Sequence, residues 1–189
     1  MYRQCTTEKT ATQQKIFQDA LLDALQDHMY HEITIIDLCN QTGLSRNIFY
    51  RLFECKDDVL HAIIDHCYLA CSKEICLDNA KDNLFAFFTF WKKQKTLLRV
   101  LDKNHLDDLL VTRSILLCYR LDFNMPKFID SNWSSFDDEI LVFYITGFIG
   151  LLLNWYRSDF ARSEQEMTDI AYQILGQPPI LIHGSSQTL

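Results

Sequence analysis

Residues 43–60, GLSRNIFYRLFECKDDVL, decide how this chain folds, because they join a turn to the start of a short helix. Gly43 suits a turn that needs a positive φ, and Ser45 is a good N-cap for a helix over 46–53. At 100° per residue, three apolar side chains share one face of that helix: Phe49, Leu52 and Phe53. The sequence therefore predicts a short helix that packs on this face and leaves its leading end exposed.

The other side of this short helix is polar. Asn47, Tyr50 and Arg51 project away from the apolar face, and Arg46 lies in the first turn. Two explanations are open for these side chains. Either they contact something outside the protein, or they are the solvated side of a helix that only packs.

A second short helix precedes the turn. It starts near Thr34, whose hydroxyl can cap it, and ends at Gly43 after about two turns. Only Leu44 and Ser45 separate it from the next helix. Two helices joined this closely must cross steeply, which is the geometry of a helix-turn-helix.

The chain before residue 34 predicts one amphipathic helix over 12–29, with Thr10 and Gln13 as a capping box or Thr12 as the N-cap. Its apolar positions are Ile16, Ala20, Leu21, Ala24 and Leu25. The polar positions expected outside are Gln18, Asp19, Asp23 and Gln26.

The chain after residue 55 is also helical in pattern. A fourth helix starts at Lys56 and extends as far as Leu77. Further helices are expected over 81–92, 95–103, 106–121, 137–158 and 163–175. Ser163 and Glu166 form a capping box at the start of the last one. With few glycines and prolines to interrupt these runs, the predicted fold class is all-α.

Composition limits the possible functions. The chain has 189 residues, 48% of them hydrophobic, and a net charge of −7. A negative net charge is not typical of a nucleic-acid binder. Any DNA contact must therefore depend on a few individually positioned cations and on a helix dipole. Five cations lie close together and form either a solvated helix face or a diffuse attraction for DNA: Lys92, Lys93, Lys95, Arg99 and Lys103. Neither a nucleophile–base arrangement nor a phosphate-binding glycine loop appears, so we do not expect an enzyme.

The cysteines and the apolar runs favour a cytoplasmic protein. There are seven cysteines, an odd number with no CxxC pair, which argues against a disulfide framework. The start of the chain has no signal-peptide pattern, and the apolar run over 140–153 is shorter than a membrane span. A group of histidines and cysteines matches no familiar metal site, so we expect neither a metal nor a cofactor: His61, His66, Cys67, Cys71 and Cys76.

The spacing of residues between 34 and 60 carries a resemblance to a known family. The residues that carry it are Thr34, Leu38, Cys39, Gly43, Leu44, Ser45, Phe49, Tyr50, Phe53, Lys56 and Leu60. With this pattern, residues 10–60 resemble the N-terminal helix-turn-helix domain of the TetR family of bacterial transcription regulators. The later helices are similar to that family's regulatory domain. The resemblance implies a DNA-binding domain over 1–60 and an effector-binding and dimerisation domain over 61–189. From the glycine and two prolines that follow the last predicted helix, we expect a mobile C-terminal tail.

The exposed end of the third helix then has a role. Such a helix fits the major groove, where Arg46 can bind a guanine, Asn47 an adenine and Ile48 a thymine methyl group. The family's pattern assigns phosphate contacts to Thr34, Tyr50, Arg51 and Lys56. Together with the capping Ser45, these are the DNA-binding residues that the sequence predicts.

The regulatory domain has two candidate sites. Several aromatic residues either line an effector pocket or belong to the core: Phe88, Trp91, Tyr119, Phe123 and Tyr144. The helix over 137–158 is apolar almost all round and needs cover on two sides, and the resemblance implies that it dimerises together with the helix over 163–175. The interface residues expected there are Phe148, Leu151, Leu152, Trp155, Ile170 and Ile174.

The function expected from the sequence is that of a homodimeric regulator bound to a palindromic operator in double-stranded DNA. Repression relieved by an unknown small-molecule or protein effector is the family's usual mode. The pattern FYITGFIGLLLNWY over 143–156 also resembles activators of dihydroxyacetone-kinase operons, which respond to a protein partner. A third possibility is an interaction module that has lost operator binding.

Overall fold

The computed structural model describes residue 2 and residues 7–75, 79–121 and 138–175. The helices within these ranges are α1 (Glu8–Asp27), α2 (Ile35–Thr42), α3 (Arg46–Leu52), α4 (Lys56–Glu74), α5 (Ala80–Lys93), α6 (Lys95–Lys103), α7 (Asp108–Leu121), α8 (Asp138–Arg157) and α9 (Glu164–Leu175). The described ranges contain no β-strand, and the predicted all-α class is confirmed. The C-terminal tail lies outside the described residues.

Helix α1 begins earlier than the sequence pattern indicates. Thr7 is its N-cap and forms a capping box with Thr10, in which each backbone N–H donates to the other hydroxyl oxygen at 3.2 Å. The two predicted starts, a box of Thr10 with Gln13 and a cap at Thr12, are therefore wrong. Threonine is a weaker signal than glutamate at the third helical position, because the common capping box uses Glu or Gln there.

Two side chains of α1 lie on the opposite side from the one predicted. Gln18 is 3% exposed and its Oε1 lies 3.1 Å from Nδ1 of His66 on α4, whereas Ile16 is 38% exposed. The buried face runs at steps of three and four through residues 14, 17, 18, 21 and 25. Two of these are glutamines, and a pattern based on hydrophobicity alone assigns them to solvent.

Helices α2 and α3 are joined as the sequence predicts. Asp37 N–H donates to the hydroxyl of Thr34 at 3.2 Å and so caps α2. Gly43 ends α2 with a φ of 68°, in the left-handed region that glycine adopts at little cost. Ile48 N–H donates to the hydroxyl of Ser45 at 3.4 Å at the start of α3. We call α1–α3 the helix-turn-helix module.

Helix α4 runs from this module into the helices that follow, α5–α9, which we call the regulatory half after the role that the resemblance implies. The domain boundary expected between residues 60 and 61 falls inside α4. The buried apolar residues of α1 through α9 form one contiguous core, to which both parts contribute. Because α4 packs on both parts, it belongs equally to each.

A buried ion pair fastens α4 to α7. Arg113 Nε donates to Oδ1 of Asp65 at 2.8 Å, and Arg113 Nη2 donates to Oδ2. The hydroxyl of Tyr2 donates to the same Oδ2 at 2.8 Å. Arg113 is 7% and Asp65 1% exposed. The bond to Asp65 raises the pKa of Arg113. The pair tolerates burial because both carboxylate oxygens are satisfied.

Aromatic side chains fill the core of the regulatory half. Phe88 and Trp91 of α5 are fully buried. Phe88 meets Trp155 of α8 edge to face at a centroid distance of 5.5 Å, and Phe87 meets Phe148 at 5.9 Å. Edge-to-face pairs of this kind add to the stabilisation that burial alone provides. They fix α8 against α5.

The basic stretch over 92–103 is mostly engaged within the chain. Its partners are Glu164 for Lys92 (2.9 Å), Asp159 for Lys95 (2.5 Å), and Gln26 for both Arg99 (2.6 Å) and Lys103 (3.1 Å). These contacts hold α5 and α6 against the α8–α9 turn and against α1. The charges of Lys92 and Lys95 are paired with carboxylates, whereas Arg99 and Lys103 bond to neutral oxygens of Gln26 and keep their positive charge.

The turn between α8 and α9 has an unusual backbone. Asp159 and Phe160 have φ values of 52° and 56°, a region that costs a bulky residue such as Phe about 1–3 kcal/mol. The ring of Phe160 packs on Trp155 at 4.7 Å, which offsets part of that cost. Ser163 and Glu166 form the predicted capping box, with Ser163 N–H donating to Glu166 Oε2 at 2.7 Å.

Within the described ranges, no helix has both the length and the apolar character needed to cross a bilayer. Over the same ranges, no group of three or more His, Cys, Asp and Glu side chains is arranged to hold a metal ion. Cys76, one of the candidate ligands considered above, lies outside them.

Candidate nucleic-acid interface

A small aromatic cluster fixes the angle at which α3 leaves the turn. Phe49 and Phe53 are fully buried, and both rings meet Phe17 of α1 edge to face, at 5.2 and 6.2 Å. Phe49 and Phe53 also contact each other at 5.4 Å. Because the buried face of α3 is held by α1, its opposite face must point outward.

The leading end of α3 is exposed, as the sequence predicts. Ser45, Arg46 and Asn47 are all exposed, and Ile48 is half-buried against the core. The Arg46 guanidinium lies 5.9 Å from the ring centroid of Tyr50, one turn later. Two residues with bidentate hydrogen-bonding groups, Arg46 and Asn47, therefore project from the end of a rigid helix, the arrangement needed to meet base edges in a major groove.

Tyr50 and Arg51 continue this surface. Tyr50 is 43% exposed. Arg51 is also exposed, and its Nη2 donates to Oε1 of Gln13 on α1 at 2.9 Å. This bond limits the rotamers of Arg51 while leaving its other donors available. A preoriented cation loses less entropy when it binds a phosphate.

Thr34 occupies the position expected for a phosphate contact, but a carboxylate is already there. Thr34 Oγ1 and Thr34 N–H donate to Oδ2 of Asp37 at 2.6 and 2.9 Å. The side-chain hydrogen bond from Thr34 lowers the pKa of Asp37, so it is charged at neutral pH. An exposed negative charge thus lies at the N-terminus of α2, where the helix dipole would otherwise favour an anion.

Lys56 is half-buried and held by the loop between α1 and α2. Its Nζ donates to the carbonyl oxygens of Tyr30 at 2.5 Å and Ile33 at 2.6 Å, and lies 4.1 Å from the ring centroid of Tyr30. Burial lowers the pKa of this ammonium. The contacts give Lys56 a structural task that the sequence pattern does not reveal. Of its three donors, one is left for a phosphate.

Three residues without a predicted part in DNA binding help to build this surface. Gln13 orients Arg51, Tyr30 binds Lys56, and Asp37 sets the charge at the start of α2. Asp37 could have been found, because Thr-x-x-Asp resembles a capping box. Gln13 and Tyr30 act on residues 38 and 26 positions away, and no local pattern indicates such contacts.

The aromatic residues expected either to line an effector pocket or to belong to the core differ in exposure. Phe88 and Trp91 are fully buried and Tyr144 is 7% exposed, whereas Tyr119 is 48% exposed on α7. Phe88 and Trp91 thus lie in the core, one of the two alternatives left open by the sequence, and Tyr119 faces outward. Phe123 lies outside the described residues.

The predicted dimer interface is corrected at two residues. Leu152 and Trp155 are 0% and 1% exposed, because they fill the core of their own chain, and Trp155 Nε1 donates to the carbonyl of Arg162 at 2.8 Å. Phe148, Leu151 and Ile170 are half-buried, and Ile174 is 51% exposed. An all-round apolar helix does not reveal which of its faces is internal.

One outward face of α8 combines apolar and small residues with two exposed polar ones, Thr146 and Asn154. It includes Phe143, which is 71% exposed, and Gly147 and Gly150, which are exposed as well. A Cβ placed on either glycine would meet nothing within 4 Å. These positions, with Leu151, recur at steps of three and four along one side of the helix.

No protein-family model matches the sequence. The curated protein described as HTH-type dhaKLM operon transcriptional activator DhaS, from Lactococcus lactis subsp. lactis (strain IL1403), is 24% identical over 134 residues. The match covers 71% of this chain and 63% of that protein, so it spans less than two thirds of the relative's length.

Several solved structures share the architecture. A TetR transcriptional regulator from Streptococcus agalactiae 2603V has a TM-score of 0.64 at 13% identity, covering 89% of this chain and 96% of its own. The fatty acid degradation regulator FadR from Bacillus halodurans has a TM-score of 0.58 at 16% sequence identity, and the match covers 91% of this chain and 96% of FadR. The dihydroxyacetone kinase operon activator DhaS has a TM-score of 0.54 at 18% sequence identity, and the match covers 86% of this chain and 93% of DhaS. At these identities the shared property is the fold.

Proposed function

We propose that this chain, which has the fold of the TetR transcription regulators, is a homodimeric regulator that binds a specific DNA sequence. The observation that carries the proposal is the exposed leading end of α3, which Gly43, Ser45 and the buried Phe49 hold at a fixed angle. A helix end that presents bidentate side chains and is rigidly supported suits the major groove.

Base recognition falls to the first turn of α3. Arg46 binds a guanine through two hydrogen bonds and Asn47 binds an adenine in the same way. Ile48 is half-buried, so its part is limited to a contact with a thymine methyl group at the edge of the helix. These three residues carry sequence preference.

Phosphate contacts fix the position of the module on the duplex. Tyr50 and Arg51 are exposed beside the base-reading residues and supply a hydroxyl and a cation. Lys56 contributes its third N–H donor, since the carbonyl oxygens of Tyr30 and Ile33 accept from the other two. Thr34 contributes less, because its hydroxyl and its N–H already donate to the Asp37 carboxylate. Since few cations take part, the affinity rests on placement and not on a positive field.

Association of two copies through α8 and α9 completes the site. The outward face of α8 at Phe143, Gly147 and Gly150, together with Ile174 on α9, is suited to a partner that has the same face. Gly147 and Gly150 allow the backbones of two α8 helices to come close. Two-fold symmetry then places two α3 helices about 34 Å apart, matched to a palindromic operator.

The protein has two candidate modes of regulation, repression and activation. Repression, relieved when an effector favours a different spacing of the two modules, is the first. Activation is the second, and it is favoured by the likeness to proteins named as activators of dihydroxyacetone kinase operons. The effector is a small molecule or a protein partner. We place the protein in the cytoplasm, with no catalytic function.

Selection of binding sites from a pool of random duplexes tests this proposal. The wild-type protein should enrich a palindromic site, with an affinity that falls by orders of magnitude between about 50 and 200 mM salt. Arg46→Ala should lose the preference at one base pair, at a cost of about 1–3 kcal/mol. Arg51→Ala should weaken all sequences alike. Enrichment of no site would favour the interaction-module alternative.

A further inference from the structure

The connection between α6 and α7 lies against the helix-turn-helix module. Asn104, the C-cap of α6, accepts a hydrogen bond from Tyr30 N–H through its Oδ1 at 2.6 Å. Its Nδ2 donates to the carbonyl of Val100 at 2.8 Å, which fixes the orientation of the amide. Arg99 and Lys103 of α6 bind Gln26 at the end of α1.

Tyr30 is the residue on which these contacts converge. Its backbone N–H donates to Asn104, and its carbonyl accepts from Lys56 at 2.5 Å. Its hydroxyl donates to Asp57, and its ring lies 4.1 Å from the Lys56 ammonium. One residue in the loop between α1 and α2 is therefore held at once by α6 and by the first turn of α4.

The same end of α6 is tied to the last turn of α8. Arg157 Nε donates to Oδ1 of Asp102 and Arg157 Nη2 donates to Oδ2 of Asp107, both at 2.9 Å. Two hydrogen bonds from one guanidinium thus clamp the residues on either side of the α6–α7 connection. A continuous series of contacts leads from α8 through this connection to Tyr30.

The backbone of the connection is strained. Leu106 N–H donates to the carbonyl of Leu101 and His105 N–H to that of Asp102, which ends α6 in a Schellman motif. The left-handed position of this motif usually has glycine, but here it is His105 with a φ of 56°. A strained helix end can rearrange at low cost when its contacts change.

We propose that the C-terminal end of α6 sets the orientation of the helix-turn-helix module relative to α8, and that Asn104 is the positioning residue of this joint. The inference rests on the proposed function, because orientation matters only if two modules must fit one duplex. Two copies joined through α8 would hold their α3 helices at the correct separation only while Asn104 fixes Tyr30.

The test compares operators of different spacing. With the site selected by the wild-type protein, Asn104→Ala should bind the full palindrome about tenfold more weakly, while its affinity for a single half-site is unchanged. It should also accept operators lengthened or shortened by one base pair, which the wild type should discriminate against. Asn104→Asp, which keeps the acceptor for Tyr30 N–H, should retain the discrimination.

Lys95→Ala is the matched control. It breaks an exposed ion pair of α6 with Asp159 at the other end of the helix, so its preference for spacing should equal that of the wild type. A purely structural role for Asn104 would lower the melting temperature and leave this preference intact. If Asn104→Ala discriminates between operator spacings as strongly as the wild type does, the proposal is wrong.

Hydrogen exchange provides a readout that does not depend on DNA. Arg157→Gln removes charge from the clamp at α8 and should speed amide exchange at residues 26–33, with no change in α3. If the wild type selects no operator, the proposed function fails, but faster exchange at 26–33 still supports the joint. Exchange that changes only around Asp102 and Asp107 would refute the joint whatever the DNA result.

Discussion

Helices α2 and α3 have eight and seven residues, whereas α5 and α8 have 14 and 20. The short pair is positioned by local devices: a cap at Thr34, a left-handed glycine at Gly43 and a cap at Ser45. The long pair is positioned by distant aromatic contacts. Isolated helices of seven or eight residues are unstable in water, so the module depends on its turn chemistry and on Phe49 and Phe53 together.

This difference predicts where a single substitution does the most damage. In the regulatory half, stability should depend on large buried side chains. In the module, it should depend on backbone conformation at one or two positions. Substitutions in both regions test the contrast, beginning with the one for which we expect the largest effect.

Trp155→Ala should destabilise the protein most. Trp155 is 1% exposed and packs against Phe88 and Phe160, so its removal leaves a large cavity and should cost about 3–5 kcal/mol of unfolding free energy. Chemical denaturation monitored by circular dichroism measures this cost. Ile174→Ala, at a residue 51% exposed, is the control and should weaken association while leaving protomer stability nearly unchanged. The reverse outcome would restore Trp155 to the interface.

Arg113→Ala should have the next largest effect, about 3 kcal/mol. It leaves the buried carboxylate of Asp65 with Tyr2 as its remaining donor among the bonds described above. Replacing both partners, Asp65→Leu with Arg113→Met, should recover much of the loss. A double variant as unstable as the single one would show that the pair contributes more than charge compensation.

The sequence predicted the module better than the regulatory half, and the reason is physical. The cap at Thr34, the turn at Gly43, the cap at Ser45 and the buried Phe49 are all encoded within a few residues of where they act. The structure confirms each of these positions. The exposed state of Arg46 followed from the same local pattern.

The arrangement of the regulatory half is harder to predict because its contacts join residues that are far apart in the sequence. Helix positions were recovered to within a few residues, but hydrophobicity alone cannot tell an internal from an external face of a helix that is apolar all round. Leu152 and Trp155 were misassigned for this reason. The same limitation affected α1, where Gln18 is buried and Ile16 exposed.

Glycine-to-alanine substitutions should change the free energy of unfolding in opposite directions in the two regions. Gly43→Ala should cost about 1–2 kcal/mol, because its φ of 68° disfavours any residue with a Cβ, although the Cβ would meet nothing within 4 Å. Gly150→Ala, inside α8, should stabilise the protomer by about 0.5–1 kcal/mol. Thermal melting at low concentration measures both. A loss of stability in both variants would mean that α8 requires glycine for a reason other than helix propensity.

Gly150→Ala also tests the proposed dimer. If two α8 helices approach closely at Gly150, the added methyl group should weaken association while the protomer becomes more stable. Sedimentation over a concentration series separates these two effects. Unchanged association would place the contact between copies elsewhere on α8 or α9.

The smallest effect should come from charge at the third residue of a helix. Asp37 in α2 and Asp82 in α5 occupy the same position after their N-caps, Thr34 and Asn79. Changing either to Asn removes a carboxylate from a helix N-terminus and should cost less than about 1 kcal/mol of stability. On this measurement the two regions should behave alike.

DNA affinity should separate the two substitutions. Thr34 lowers the pKa of Asp37, so Asp37→Asn removes a full negative charge at neutral pH from the side of the module that would face phosphate. Affinity should rise about threefold for every sequence, and the gain should shrink as salt increases. Asp82→Asn lies in the regulatory half and should leave the affinity unchanged. Fluorescence anisotropy resolves a change of this size. An equal response in both variants would mean that the start of α2 does not approach the duplex, and would remove Thr34 from the interface.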